Sequence, residues 1–418
     1  MTNVLILLTL LCFIVPVYVY FGYPALLWML NRLGFRKPIH LDDSWPTVTL
    51  IISCYNEHRV IREKLDNALS LDYPRDNFKL CVVSDASDDG TDEIVQEYID
   101  RGVTLIRQEK RLGKTMGLNH ALENIDSEVV VFSDANALYE TGAIKNLIRN
   151  FADPSVGYVV GAALYTDSKE SASGKNEDLY WRYELAIKNW ESELHSVVGG
   201  DGAIYAIRRS LWQPLQVQDI NDFVNPMQII AAGYRGVFEP QARCYEETAG
   251  SFAREAARKE RIVNRSFRGL LRVKSVMNPF SSGFFAFEVI SHKLLRWLIP
   301  FFLLGALIGC AWLSILGVLL FQVPLTGAII LIALASIGAM LANRGVSHFL
   351  FSTPYYFVLI NFYSMRGIIA ALRGQTQVTW NTARPGDTIN ESKVVKPFSL
   401  LLGSTGLLIV SLIWPYLA

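Results

Sequence analysis

Charged residues are absent from three long stretches of this 418-residue sequence. None occurs at 2–31, at 297–343 or at 397–418, although 19% of the whole chain is charged and 51% is hydrophobic. An uncharged apolar run of about 20 residues is what a helix needs to cross a bilayer, so these absences argue against a wholly soluble protein. We predict four membrane crossings, at about 4–30, 297–320, 326–342 and 398–416.

The first apolar run also lacks the basic segment that precedes a cleavable signal peptide, and its first charge comes only at Arg32. We therefore predict a membrane anchor. Lys and Arg residues follow the first and third crossings and precede the second and fourth: Arg32, Arg36, Lys37, Arg344, Lys293, Arg296, Lys393 and Lys396. Because cytoplasmic flanks carry an excess of Lys and Arg, this distribution predicts an inner or plasma membrane protein with the block between the first two crossings in the cytoplasm and both termini outside.

A net charge is lacking too, since 39 Lys and Arg residues balance 39 Asp and Glu residues. No overall field attracts nucleic acid, and any attraction for anions is local. The five cysteines lack the spacing of a zinc site or a disulfide framework, which fits a reducing compartment. These absences leave a membrane protein with no predicted nucleic-acid partner.

Between about 38 and 250, short runs rich in Val and Ile alternate with amphipathic segments. This alternation is typical of an α/β fold with a mostly parallel sheet. The predicted strands are Thr47–Ser53, Lys79–Ser84, Val103–Arg107, Glu128–Ser133 and Gly157–Ala162. The predicted helices are Arg59–Leu69, Asp92–Asp100, Lys114–Glu123, Thr141–Phe151 and Val224–Ala232.

Polar side chains follow two of these strands directly. Asp134 and Asn136 come after a strand that is apolar enough to be covered on both faces, and Asp85 ends another. The alternation of a strand points Asp134 and Asn136 the same way, and their oxygens suit a hard divalent cation such as Mg²⁺ or Mn²⁺. The first strand ends in Ser53-Cys54-Tyr55-Asn56-Glu57 without a glycine-rich phosphate turn, which disfavours a nicotinamide-dependent dehydrogenase.

Six motifs occur in one order along the chain. They are Tyr55-Asn56-Glu57, Asp85-Ala86-Ser87-Asp88-Asp89-Gly90-Thr91, Gly113-Lys114 with Gly117-Leu118-Asn119, Asp134-Ala135-Asn136, Gly200-Asp201-Gly202 with Arg208-Arg209, and Asn221-Asp222. Over about 47–270 the chain resembles the family-2 glycosyltransferases, in particular the membrane-embedded branch of hyaluronan, cellulose, chitin-oligosaccharide and poly-N-acetylglucosamine synthases. The segment Thr379–Arg384 resembles the Trp-Gly-Thr-Arg element of hyaluronan synthases.

The resemblance implies a GT-A (Rossmann-like) domain at 38–252, between an anchor at 1–37 and amphipathic interfacial helices at 253–296. The remainder, 297–418, is predicted to form a transmembrane region with an interfacial helix at 349–373 and a Trp/Arg loop at 376–390. A fifth crossing at 349–373 would place Lys393 and Lys396 outside, so the interfacial position fits the charges better.

The implied reaction is inverting transfer of a hexose or N-acetylhexosamine from a nucleotide sugar, UDP-linked, to a saccharide or lipid-linked acceptor. Asp222 is the implied catalytic base, with Asp201 as the alternative. The other implied roles are nucleotide binding by Tyr55, Glu57, Asp85, Lys114 and Asp134, metal binding by Asp134 and Asn136, acceptor binding by Gly200, Asp201 and Gly202, and diphosphate binding by Arg258, Arg261, Trp380 and Arg384.

Each of these residues also has a purely structural interpretation. Asp85 can begin a turn, Asp134 can cap one, and Asp222 can be the N-cap of the following helix. The arginines recur at spacings of three and four from Arg254 to Arg272, so they form one stripe on a helix. We expect Arg268 and Arg272 of this stripe to contact lipid phosphates.

The chain departs from the family pattern at three places. Asn136 stands where a second acid is common, and only the final acid of a Thr-Glu-Asp-like run remains, as Asp222. At Arg258-Lys259-Glu260-Arg261-Ile262 the Gln and Trp of the processive Gln-x-x-Arg-Trp motif are missing, although Trp380 or Trp190 can substitute for the tryptophan. These departures favour a short product over a long polymer, and a non-catalytic sugar-nucleotide-binding subunit of a synthesis or secretion complex is the rival interpretation.

Overall fold

The computed structural model describes residues 2–166, 172–247, 252–342, 344, 346 and 348–376. The predicted crossing at 398–416 lies outside these described residues, as do Trp380 and Arg384. The described part divides into a sheet-containing domain and a set of long apolar helices packed beside it.

One eight-stranded sheet forms the centre of the domain, in the order β3-β2-β1-β4-β7-β6-β8-β5. Its strands are β1 Val48–Cys54, β2 Phe78–Ser84, β3 Val103–Arg107, β4 Val129–Asp134, β5 Leu138–Tyr139, β6 Val156–Tyr165, β7 Tyr205–Arg208 and β8 Arg235–Glu246. The first four strands pair in parallel, whereas β7 joins β4 and β6 antiparallel, and β5 joins β8 antiparallel. The sheet is therefore mixed, and the predicted α/β class is confirmed.

Helices cover both faces of the sheet, which explains why its central strands are mostly apolar and buried. All seven residues of β1 are buried. One face packs against α3, α4 and α6, and the other packs against α5, α8 and α9. The helix bounds are α1 Thr2–Val17, α2 Tyr23–Arg32, α3 Ile61–Leu69, α4 Thr91–Gln96, α5 Lys114–Glu123, α6 Ala143–Ile148, α7 Ala172–Leu194, α8 Asn221–Ala231, α9 Phe252–Arg272, α10 Pro279–Ser282, α11 Phe284–Val289, α12 Leu295–Ile315, α13 Gln322–Ala342 and α14 Phe349–Leu372.

Four helical segments among the described residues are long and apolar enough to cross a membrane. They are Thr2–Arg32, Phe284–Ile315, Leu319–Ala342 and Phe349–Leu372. The first three overlap the first three predicted crossings. The fourth is α14, which the charge distribution assigned to the membrane interface, and this interfacial position stays a prediction.

The arginine-bearing helix α9 lies between the domain and α14. The Asn264 side chain donates hydrogen bonds to the carbonyl oxygens of Gly367 at 3.2 Å and Gln375 at 3.0 Å. At the end of α9, Arg272 forms an ion pair with buried Asp219. Arg272 thus has a protein carboxylate as a partner and remains exposed, and the expected contact of Arg268 and Arg272 with lipid phosphates stays a prediction.

Candidate active site

The functional candidates meet around Gly202, in the loop between α7 and β7. A Cβ atom added to Gly202 would lie 3.2 Å from Asp134 Oδ2, 3.3 Å from Asp222 Oδ2 and 3.7 Å from Lys114 Nζ. These side chains come from the end of β4, the first turn of α8 and the first residue of α5. Because Gly202 has no side chain, a space remains there, and two carboxylates and one ammonium group border it.

Backbone contacts hold this loop against α8. The Gly200 amide donates a 2.5 Å hydrogen bond to the carbonyl oxygen of Asp222, and a Cβ on Gly200 would lie 2.7 Å from that oxygen. Gly199 has a φ of +88°, in the left-handed region that favours glycine. The glycines at 199, 200 and 202 therefore allow a close approach that side chains would prevent.

The Asp222 carboxylate is largely desolvated. Its Oδ1 atom is buried without a hydrogen-bond partner among the described residues. Burial raises the pKa of Asp222 above its ordinary value, the positive charges of Lys114 and Arg261 oppose this rise, and the nearby Asp201 and Asp134 add to it. A carboxylate with a raised pKa and an unused oxygen can accept a proton, as a general base must.

The alternative role of Asp222 as a helix cap is wrong. Helix α8 begins at Asn221, its N-cap is Ile220, and no side chain caps it. Asp222 therefore lies inside the first helical turn. Its side chain is directed toward Gly202 rather than toward the free amides at the start of the helix.

The alternative base, Asp201, is already engaged. Its Oδ2 lies 3.2 Å from Lys188 Nζ, and its Oδ1 accepts a 3.3 Å hydrogen bond from the Ala203 amide. Both charged side chains of this ion pair are largely buried, with exposures of 4% and 10%. Both oxygens of Asp201 thus have partners, whereas Asp222 has an unused oxygen, and this contrast favours Asp222 as the base.

Lys114 pairs with the predicted metal ligand Asp134. The Nζ atom lies 2.5 Å from Asp134 Oδ1, and half-buried Asn136 follows two residues later. Within the described ranges, no group of three or more His, Cys, Asp or Glu side chains is arranged to hold a metal ion. One carboxylate and one amide fit a cation whose remaining ligands are water and substrate phosphate, which is how Mg²⁺ is commonly bound.

Asp85 organises the loop that leads into α5. Its Oδ1 accepts hydrogen bonds from the Gln108 side chain at 2.6 Å and from the amides of Leu112 at 2.8 Å and Gly113 at 2.9 Å. Burial raises the pKa of Asp85, and these amides oppose the rise. Asp85 thus fixes the position of Lys114, and its predicted contact with the nucleotide stays a prediction.

Arg111 covers the aromatic ring of Tyr55, which is predicted to stack on a base. The guanidinium carbon lies 3.7 Å from the ring centroid. Nearby, Asn56 has a φ of 54° and exchanges hydrogen bonds with Asp88 at 2.7 and 3.0 Å. Glu57 is buried, and its amide donates to Thr91. A base can therefore stack on the face of Tyr55 that Arg111 covers only if this guanidinium moves away.

The basic side of the site comes from α9. Burial lowers the pKa of the Arg261 guanidinium, and the nearby carboxylate of Asp222 opposes this change. Arg258 lies one turn earlier, 3.7 Å from Glu255 and 3.5 Å from the Tyr165 hydroxyl. The other two predicted diphosphate ligands lie outside the described residues. Trp190 packs with Tyr23 and Leu27, beside the first membrane helix.

Two charged residues of this region were not predicted. Glu246 ends β8 beside Tyr165 of β6, and burial, together with the nearby Asp134 and Asp201, raises its pKa to about 8. Lys64 is fully buried, donates to the Ala137 carbonyl and lies 4.1 Å from the Tyr139 ring centroid. Burial lowers the pKa of Lys64 to about 8, although Asp134 and Glu246 oppose this.

The sequence carried a signal for Lys64 but not for Glu246, whose strand has charged residues among its apolar ones. Lys64 falls on the apolar stripe of α3 formed by Ile61, Leu65 and Ala68, where a charge needs a buried partner.

The chain is similar in sequence to known proteins. Residues 49–213 match the family model described as Glycosyl transferase family 2. A poly-beta-1,6-N-acetyl-D-glucosamine synthase of Staphylococcus aureus (strain COL) is 24% identical over 236 residues, which cover 53% of this chain and 56% of that protein. A protein of the same name from Staphylococcus epidermidis is 24% identical over 238 residues, covering 54% and 57%. The chain therefore spans a little over half the length of the curated relatives it matches.

A solved structure is similar over most of the chain. The mannosyltransferase from Pyrobaculum calidifontis, in complex with GDP-Man and Mn²⁺, has a TM-score of 0.64 and 25% identity, and the match covers 87% of this chain and 99% of that one. The likeness confirms the predicted GT-A-type architecture with its accompanying helices.

The space at Gly202 can be tested by filling it. Gly202→Ala should reduce sugar transfer by about 10- to 100-fold, because the new methyl group displaces two carboxylates by a few tenths of an ångström. Gly142→Ala is the control, since its Cβ would meet only Asn146 at 3.9 Å. Initial rates in detergent should fall for Gly202→Ala and not for Gly142→Ala. Thermal unfolding should show little loss of stability for Gly202→Ala. Full activity of Gly202→Ala would contradict the assignment of this space to substrate.

Lys64 is expected to hold the Asp134–Asn136 segment in position, because it donates a hydrogen bond to the carbonyl oxygen of the next residue, Ala137. Lys64→Met should lower transfer about tenfold and reduce stability, because an unpaired buried carbonyl costs about 1–3 kcal/mol. Lys145→Met is the matched control, since Lys145 lies at the surface and pairs with Asp72 at 2.7 Å. Donor titrations and thermal unfolding measure both effects. Equal behaviour of the two variants would refute a supporting role for Lys64.

Proposed function

We propose, from the match of residues 49–213 to the model of glycosyl transferase family 2, that the protein transfers a sugar from a nucleotide donor to an acceptor hydroxyl. The sugar is a hexose or N-acetylhexosamine, and the acceptor is a saccharide or a lipid-linked saccharide. The observation that carries the proposal is the meeting of Asp134, Asp222 and Lys114 around Gly202. These three side chains supply a base, an acid ligand and a positive charge around one space.

The proposed reaction is a single displacement. Asp222 removes the proton of the acceptor hydroxyl, and the oxygen forms a bond to the anomeric carbon. The bond from that carbon to the diphosphate breaks, and its electron pair leaves with the nucleoside diphosphate. Lys114 and Arg261 stabilise the developing negative charge, because fixed cations in a desolvated site act strongly on it. One displacement inverts the anomeric configuration.

We propose that Asp134 and Asn136 hold a divalent cation, Mg²⁺ or Mn²⁺, together with the donor diphosphate. The cation would supply positive charge to the leaving diphosphate when bound. The presence of Mn²⁺ in the mannosyltransferase complex supports this proposal. Asn136 contributes no negative charge, so we expect the free protein to bind the cation weakly and the donor complex to bind it more tightly.

The nucleotide of the donor has two candidates, UDP and GDP. The names of the Staphylococcus relatives support an N-acetylglucosamine donor, in line with the UDP-sugar expected from the sequence. The GDP-Man in the mannosyltransferase complex supports a GDP-sugar instead. Diphosphate release measured over a panel of UDP- and GDP-sugars with Mn²⁺ separates the two, and no release with any donor would favour the non-catalytic rival.

The long apolar helices support a location in the inner or plasma membrane, with the domain on the cytoplasmic side. The described residues contain four such segments, which is more than anchoring requires. We propose that they present a lipid-linked acceptor to the site or help a growing saccharide across the bilayer. The missing Gln and Trp beside Arg258 and Arg261 favour a short product.

Asp222→Asn tests the assignment of the base. The amide cannot accept the hydroxyl proton, so transfer should fall by about 100- to 10,000-fold while nucleotide binding is retained. Asp201→Asn is the companion variant, and its loss should be much smaller. Turnover and calorimetric nucleotide titration distinguish the two. If Asp201→Asn abolishes transfer and Asp222→Asn does not, the roles of the two acids are reversed.

The pH dependence tests the surroundings of Asp222. Transfer requires the ionised form, so the rate should rise with pH through a pKa above the ordinary value of 3.8. Asp201→Asn removes a charge that raises this pKa and should shift the rise to lower pH. Arg261→Gln removes a charge that lowers it and should shift the rise to higher pH. If the rise instead disappears in Glu246→Gln, it belongs to Glu246 rather than to Asp222.

A further inference from the structure

A chain of buried charged side chains connects the membrane-spanning helices to the domain. Glu184 and Glu191 lie on α7, and His292 of the Phe284–Ile315 segment lies between them. The His292 Nδ1 atom is 2.6 Å from Glu191 Oε1, and its Nε2 atom is 3.0 Å from Glu184 Oε2. Both His292 and Glu191 are fully buried.

The membrane helices supply further partners for these two carboxylates. The Tyr23 hydroxyl, in the first membrane segment, donates a 2.6 Å hydrogen bond to Glu191 Oε1. Arg296, one turn beyond His292, pairs with Glu184. Buried ionisable groups at a membrane segment are costly, so their presence at this contact indicates more than packing.

The same stretch of α7 holds the loop that contains Gly202. The second oxygen of Glu191, Oε2, accepts a 3.0 Å hydrogen bond from the Val198 amide. One helical turn earlier, Lys188 forms the buried ion pair with Asp201. One oxygen of Glu191 therefore accepts a hydrogen bond from the first membrane segment, and the other accepts one from the loop that borders the site.

We propose that Glu191 and Lys188 are positioning residues, which set the 197–203 loop against Asp222 according to the position of the first membrane helix. The inference rests on the proposed function, in which this loop receives the acceptor. Tyr23 and His292 orient the Glu191 carboxylate, and Glu191 orients the loop through the Val198 amide. An acceptor that enters along the membrane helices is then received by a loop that these helices hold in place.

Tyr23→Phe tests this connection with one removed atom. The ring stays packed on Phe287, with 5.8 Å between the two ring centroids, but the hydrogen bond to Glu191 is lost. Tyr18→Phe is a matched control. The Tyr18 hydroxyl forms a 2.8 Å hydrogen bond with Ser291, which joins the first membrane segment to the Phe284–Ile315 segment and does not involve α7. The full chain in nanodiscs is compared for both variants.

The first measurement is hydrogen exchange at 197–203 without substrate. Tyr23→Phe and Glu191→Gln should exchange faster than wild type there, and Tyr18→Phe should not. The hydrogen-exchange measurement does not depend on activity. It therefore decides the positioning role even if wild type transfers no sugar, an outcome that would count against the proposed function alone.

The second measurement uses membrane lipid extract as acceptor, with UDP-N-acetylglucosamine and GDP-mannose as donors. Tyr23→Phe should raise the acceptor KM by about 5- to 10-fold, with the binding of UDP or GDP in Mn²⁺ unchanged within about twofold. Lys188→Met should do the same, and Lys188→Arg should restore the wild-type value by keeping the ion pair. The inference is overturned if Tyr23→Phe matches Tyr18→Phe in both measurements, or if nucleotide binding weakens as much as acceptor use.

Discussion

Most of the site depends on keeping the carboxylate of Asp222 desolvated and unpaired among other charges. Asp134 is paired with Lys114, and Asp201 is paired with Lys188, so each neighbouring acid has its own cation. Asp222 keeps a buried oxygen without a hydrogen bond among the described side chains and backbone groups. This division of partners is what distinguishes a proton acceptor from structural carboxylates in the same small space.

Glycine makes this arrangement sterically possible. The loop at 199–202 approaches the Asp222 carbonyl closely, and no side chain fills the space beside Asp134 and Asp222. Asp85 and the loop before α5 then place Lys114 at the opposite border. The reactive space is therefore bounded by backbone and by oriented side chains from four separate parts of the chain.

The membrane helices are joined to this site by buried polar contacts as well as by apolar packing. Helix α9 lies between the domain and α14, and α7 carries the carboxylates that meet Tyr23, His292 and Arg296. A buried carboxylate is stable only when its partners keep their geometry. The helices and the loop at Gly202 are thus expected to move as connected parts.

Local patterns in the sequence were sufficient for the first half of the sheet and for the position of its polar ends. The prediction of Val103–Arg107 and Lys114–Glu123 agrees with the structure, because each segment has a clear period and a clear end. The candidates Asp85, Asp134 and Asp222 followed from strand ends and from motif order. The sequence did not predict α7, β7 or β8, since charged residues interrupt the apolar residues of α7 and β8, and β7 is only four residues long.

Only the tertiary structure decided which of these groups are partners. The pairing of Glu191 with His292, 101 residues away, and of Lys64 with the Ala137 carbonyl, 73 residues away, depends on how sheet and helices pack. A period of two or of 3.6 residues reports which face of an element is buried, but not which distant element covers it. For that reason the sequence determined the fold class, the apolar helices and the candidate acids, while the fold determined which acid is left unpaired.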